Sequence, residues 1–316
     1  MMLFFLILLF IGFFALIYFM VDVFIDNLKE ICYKFDISPL IIGLLILGID
    51  LEELVASLFS SINGLPYIAI GNVIGNSIIS LTIGFGLPAL LFKLDFEKVS
   101  LFYPSLLLAM GGSIIIGILI PFGLFYAGLF NISMFIYYVI RNLWKYKSTK
   151  DVEIHIVEEE EEEGEEGQDT KKNIILIIIS FILIFIGGEG LIITADLIIK
   201  ATLIAETFFG LVIISMLTNV EEFLMIYKSI KKKEPQIGIG GMIGKIFWNL
   251  GITFGVSSLI IFNISGSLII IYNWILLISI LGIYLIIIKK GSMFRIIGTI
   301  LTSIFVIFLI LNFIFI

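Results

Sequence analysis

Two copies of one acidic pattern, Asp50-Leu51-Glu52-Glu53 and Asn219-Val220-Glu221-Glu222, stand 169 residues apart, each inside an otherwise apolar stretch. The register persists downstream: Ile70-Gly71-Asn72-Val73-Ile74-Gly75 is answered by Ile239-Gly240-Gly241-Met242-Ile243-Gly244, and Phe85-Gly86 by Phe254-Gly255. A match held over that length means two halves built to one plan. An ionised side chain at the centre of a membrane helix costs roughly 2.5–3.5 kcal/mol, so polar groups there are kept for a purpose. Carboxylates at matched depth in both halves predict a cation-binding site.

The surroundings of these acids fix the class. With 60% hydrophobic residues, 14% charged residues and a mean hydropathy of +1.19 over 316 positions, the chain cannot be a soluble domain. About 20 apolar residues cross a bilayer as a helix. Ten stretches reach that length, near 3–24, 38–62, 67–92, 100–120, 122–143, 173–198, 203–229, 236–263, 267–288 and 293–316. The expected fold is all-α and integral to the membrane, with ten transmembrane helices arranged as two five-helix repeats, residues 1–143 and 173–316. The first stretch lacks the basic flank and small-residue cleavage site of a signal peptide and reads as a true span. A single cysteine, Cys32, supports no disulfide, metal or redox argument.

Lys and Arg mark the cytoplasmic side of a membrane protein. With the N-terminus outside, seventeen of the nineteen basic residues fall in cytoplasmic loops, Lys200 faces outside, and Lys245 lies within a span. Both termini are therefore expected outside a cell membrane. Because each half has five spans, the second enters the membrane the other way up, making the duplication an inverted repeat. Residues 144–172 join the halves. Between 151 and 169 they hold eleven acids, including Glu158 to Glu163, Glu165, Glu166 and Asp169, and no Lys or Arg. Such a like-charge block reads as a solvated cytoplasmic tether, which accounts for the formal charge of −7. His155, the only histidine, belongs to this tether.

Consecutive helical residues lie about 100° apart, so Glu52 and Glu53 cannot face one point on a regular helix. A break after Gly48 would relax this and free backbone carbonyls, the way interrupted transporter helices build ion sites. Hard cations take clustered oxygens from carboxylates, carbonyls and amides, and the two acidic stretches offer all three. The following span of each half carries glycines at helix-packing spacing, interleaved with Asn72, Asn76, Ser77 and Ser80 in one half and Lys245 and Asn249 in the other. Position 76 matches 245 and 80 matches 249. These polar residues are expected to face the carboxylates. Three readings of Lys245 stand open: a side chain snorkelling to the surface, an ion pair with Glu221 or Glu222, or a built-in cation that takes one ion's place. Asp22 and Asp26, with Glu189 and Asp196, form a further weakly matched set, read first as interface or packing acids.

These motifs resemble those of the cation/calcium antiporter superfamily, the sodium/calcium exchangers and their relatives, over nearly the whole chain. Its signature has the form G-[TN]-S-x-P-E followed by G-N-x-[IV]-G-S on the next helix. Gly48 to Glu53 and Leu217 to Glu222 align with the first element, and Gly71 to Asn76 and Gly240 to Lys245 with the second. The resemblance implies ten helices in two inverted repeats, with Glu53 and Glu222 as central cation-binding carboxylates. It implies further ligands at Ile49, Asp50, Thr218 and Asn219, polar ligands at Asn76, Ser80 and Asn249, and a gating bundle made of the first and sixth helices. The chain departs from the signature where Glu52 and Glu221 replace proline, where Ile49 and Asp50 replace Thr and Ser, at Leu217, and at Lys245, where relatives carry Ser.

The implied function is secondary cation antiport by alternating access, not enzyme catalysis: Ca²⁺ or a similar divalent cation exchanged against Na⁺ or H⁺. Glu52, Glu221 and Asp50 would shape the field, with Lys245 tuning occupancy. The competing reading is a sensor or scaffold whose site Lys245 neutralises. No permanently bound cofactor and no nucleic-acid partner are expected. The partners are the lipid bilayer and inorganic cations.

Overall fold

The computed structural model describes residues 2–34, 50–96, 99–153, 170–219, 230, 235–261, 264 and 267–314. Within them the chain is almost wholly helical. We number the helices α1 (Met2–Lys34), α2 (Leu51–Ile62), α3 (Pro66–Leu91), α4 (Phe102–Leu119), α5 (Gly123–Glu153), α6 (Thr170–Thr202), α7 (Glu206–Leu217), α8 (Pro235–Ile260), α9 (Leu268–Lys290) and α10 (Arg295–Ile314). Among the described residues eight helices are long and apolar enough to cross a membrane; α2 and α7 are not. The sequence reads both as full spans, whereas α2 starts at Leu51 behind Asp50, and α7 stops at Leu217 with Thr218 as its C-terminal cap. Residues 35–49 and 220–229, which carry the remainder of those two spans with Ile49, Glu221 and Glu222, lie outside the described residues, as do His155 and the acidic run of the linker.

Three helices contain a π-helical turn: Ser80–Gly84 in α3, Phe209–Ile214 in α7 and Asn249–Thr253 in α8. A π turn disturbs the regular i to i−4 ladder, and carbonyls there need other donors. In α3 the Tyr284 hydroxyl donates to Leu81 O at 2.7 Å, and in α8 the Asn131 amide donates to Leu250 O at 2.9 Å. Leu81 and Leu250 are matched positions, yet the donors come from different helices, α9 and α5.

The halves interlock. Helix α3 packs on α10 where a Cβ built on Gly298 would lie 2.9 Å from Gly86 O. Helix α8 packs on α5, where a Cβ on Gly128 would lie 2.9 Å from Gly255 O. Small residues are what lets backbones come this close. Helices α3 and α7 cross tightly as well: a Cβ on Gly210 would meet Ile68 O at 2.6 Å, and one on Gly75 would run into the Leu211 carbonyl.

Two apolar clusters result. The larger gathers buried residues of α3 to α5 and α8 to α10, among them Ile74, Phe85, Met110, Phe247, Phe254 and Leu281. The smaller joins α1 and α6 to α2 and α7 through Phe10, Ile17, Val55, Ile192 and Phe209. Helices α1 and α6 pack along each other, with Ile17 over Gly187 and Phe13 over Gly190. At one membrane face a two-residue antiparallel bridge, β1 (Leu94–Asp95) with β2 (Ser292–Met293), ties the loop after α3 to the start of α10. Gly291, in the left-handed region at φ 75°, ends α9 just before it.

Candidate functional site

The start of α2 is built by Asp50. Its backbone, at φ −108° and ψ 88°, is outside the helix, and its Oδ1 accepts the Glu53 amide at 2.9 Å, a side-chain N-cap. The cap leaves the other carboxylate oxygen available. That Oδ2 lies 2.6 Å from Lys245 Nζ. The Asp50 carbonyl is held in turn by the Trp248 indole at 3.1 Å. Acids in the first turn are also favoured by the positive end of the helix dipole, and both Glu52 (9% exposed) and Glu53 (0%) are buried there. Their separation around the helix does not put Glu52 in solvent.

Lys245 is 4% exposed. Besides Asp50, its Nζ lies 3.4 Å from Glu53 Oε1 and donates to Thr218 O at 3.3 Å. Snorkelling is thereby ruled out. Its described carboxylate partners come from the first half of the chain; Glu221 and Glu222 lie outside the described residues. Lys245 stands 195 residues from Asp50, and the crossing of α2 with α8 closes that gap.

The end of α7 brings the second group of oxygens. Asn76 donates to Thr218 Oγ1 at 3.0 Å, Ser80 Oγ lies 2.6 Å from Asn219 Oδ1 and 3.2 Å from Asn76 Oδ1, and the Asn219 amide donates to Ser215 O at 2.8 Å. Asn76, Ser80, Thr218 and Asn219 are thus one network. Asn249 is buried against the adjoining face of α3, its amide donating to Val73 O and Ser77 Oγ, each at 2.9 Å. Its Oδ1, together with Thr253 Oγ1 and Ser257 Oγ, is buried without a hydrogen-bond partner. Four-residue spacing sets these three oxygens on one face of α8. Unpaired buried oxygens are costly, and water or a cation would satisfy them.

Several of these groups escaped the sequence reading. Thr253 and Ser257 lie one and two turns beyond Asn249, Ser57 one turn beyond Glu53, and Ser215 one turn before Asn219. Ser57 accepts the Asn72 amide at 2.9 Å, and Ser215 lies 3.1 Å from Asn72 O. Projecting four residues along each helix from a suspected ligand would have found all of them. The weakly matched acids stand elsewhere: Asp22 and Asp26 are on exposed parts of α1, and Asp196 pairs with Lys200 at 2.6 Å on the surface. Among the described residues no group of three His, Cys, Asp or Glu side chains forms a metal cluster; the oxygens gathered here are of carboxylate, amide, hydroxyl and carbonyl type.

Fold and site together define a multi-pass helical membrane protein with charged and amide side chains buried where interrupted helices cross. The chain belongs to the sodium/calcium exchanger protein family, whose model matches residues 5–144 and 172–314, flanking the acidic linker. It is 26% identical over 244 residues to inner membrane protein YrbG of Escherichia coli K12, covering 73% of this chain and 72% of that one. It is 24% identical over 250 residues to the uncharacterized membrane protein MJ0091 of Methanocaldococcus jannaschii, covering 77% and 78%. In fold it resembles the sodium-calcium exchanger NCX_Mj soaked with 2.5 mM Na⁺ and 1 mM Sr²⁺, with TM-score 0.60 at 22% identity over 95% of this chain and 97% of that one. The same exchanger with zero Na⁺ and Ca²⁺ matches with TM-score 0.58 at 21% identity over 95% and 98%. Proteins of this family are transporters, not enzymes, and this chain is a cation antiporter by family and fold.

Proposed function

We propose that this antiporter binds Ca²⁺ or a similar divalent cation at the crossing of α2, α3, α7 and α8, and exchanges it for Na⁺ or H⁺ by alternating access. Glu53 and Glu222 are the central carboxylates in this reading. Asp50, Asn219, Thr218, Asn76, Ser80 and Asn249 supply further oxygens, and Glu52, Glu221 and Lys245 set the field. The observation that carries it is a buried acid, Glu53, in the first turn of α2, 3.4 Å from an ammonium that also donates to Thr218 O, beside a network of hydroxyl and amide oxygens joining α3 to the end of α7. Ionisable groups are expensive to bury in a membrane and mark ion pathways.

The direct test is cation flux into proteoliposomes under Na⁺ and H⁺ gradients. Glu53→Gln keeps the shape and removes the charge, and is expected to lower divalent flux at least about 100-fold, beyond what loss of one neutral hydrogen bond produces. Wild-type flux in a folded Glu53→Gln protein would refute the assignment. The proposed topology, with two inverted repeats, both termini outside a cell membrane and the linker in the cytoplasm, rests on the distribution of Lys and Arg. A tag inserted near Glu165 should be labelled only after permeabilisation, and labelling on intact cells would reverse the orientation.

A further inference from the structure

We infer that the Lys245 ammonium is a tethered ion: it permanently occupies a monovalent-cation position of the transport site, so the chain works with one free monovalent cation fewer than the same site without it. This rests on the proposed transport site and concerns how many ions it takes. The ammonium has three hydrogens to donate. The described oxygens within reach are three, the Asp50 carboxylate at 2.6 Å, the Thr218 carbonyl at 3.3 Å and the Glu53 carboxylate at 3.4 Å. Two side-chain carboxylates and a carbonyl at the end of a broken helix are the ligand types a free Na⁺ would take. The oxygens come from three positions on α2 and the end of α7, while the charge comes from α8. The ammonium thus stands among elements of both halves, where an ion would stand.

The matched residue supplies the contrast. Asn76 occupies the corresponding place on α3 and reaches the same residue, Thr218, through its hydroxyl. One half offers Thr218 a neutral amide; the other offers it a cation. At 4% exposure the ammonium has no route to solvent along its own helix, since Lys245 lies ten residues past Pro235, roughly 15 Å at helical rise. A cation covalently tied to α8 cannot be released on either side of a membrane. It therefore cancels one unit of site charge throughout the cycle, and a transported cation meets the site with that unit already spent.

Equilibrium binding of ²²Na⁺ to the purified full-length protein, with Ca²⁺ competition, tests this apart from flux. Lys245→Ser is expected to bind one more Na⁺ per chain than the wild type and to show a steeper Na⁺ dependence of Ca²⁺ displacement. If Lys245→Ser does not fold, Lys245→Asn, which copies Asn76, carries the same expectation. Lys245→Arg keeps the charge and should keep the wild-type number. An unchanged Na⁺ count in a folded Lys245→Ser or Lys245→Asn protein overturns the inference and leaves the lysine a structural partner of Asp50. If the wild type binds no divalent cation at all, the proposed substrate is wrong; an extra Na⁺ in the serine variant would still establish the tethered ion.

Discussion

Helix α3 runs from Pro66 through a π turn at Ser80–Gly84 to Leu91, and α8 repeats every one of those boundaries 169 residues later, from Pro235 through Asn249–Thr253 to Ile260. On this shared backbone the chemistry diverges where each helix meets the site. Position 76 is an amide and position 245 an ammonium. From the end of the π turn, α3 continues with Gly84 and Pro88 where α8 has Thr253 and Ser257, so of the two helices α8 carries the stripe of buried oxygens without a hydrogen-bond partner. The packing diverges too. A Cβ on Gly71 would press against Leu211 N at 3.1 Å, while the matched Gly240 has no described atom within 4 Å. Backbone geometry is thus set by the duplicated pattern of glycines and apolar residues, and charge and close contact are free to differ between the copies.

If the two helices differ in charge as described, breaking the ion pair should cost far more than breaking its neutral counterpart. Asp50→Asn retains an N-cap but leaves Lys245 short of its nearest partner. Removing one member of a buried pair costs about 3–5 kcal/mol, and thermal unfolding in detergent should show a correspondingly large fall. Asn76→Ala on the matched position removes a neutral hydrogen bond worth about 1–3 kcal/mol when its partner stays buried. Equal losses in the two variants would erase the distinction between α3 and α8. A smaller pair of effects sharpens the packing contrast. Gly71→Ala presses the α3–α7 crossing at a backbone atom and should destabilise by about 1 kcal/mol. Gly240→Ala enters open space in a helix and should be neutral or stabilising by up to about 1 kcal/mol. A destabilised Gly240→Ala protein would mean that α8 is packed as tightly there as α3.

Much of the site was legible in the chain because two periodicities are written into it. Helical spacing marks which residues share a face, the 169-residue offset marks which faces correspond, and the family resemblance names Asn76, Ser80, Thr218 and Asn219 together, the four that the structure joins by hydrogen bonds. The approach of Asp50 and Glu53 to Lys245 was not legible. They are 195 and 192 residues away in the chain, and only the crossing of α2 with α8 brings them to the ammonium.

The sequence by itself determined the membrane class, the helical segments, the duplication and the polar residues inside the spans, because hydrophobic runs, glycine spacing and charge placement are local properties of the chain. Only the tertiary structure decided that α2 begins behind an Asp50 cap, that Lys245 lies among oxygens from both halves, and that the carbonyls of Leu81 and Leu250 take donors from different helices. Those outcomes depend on which helix faces cross and how closely, and small residues on two separate helices must meet before any such contact exists.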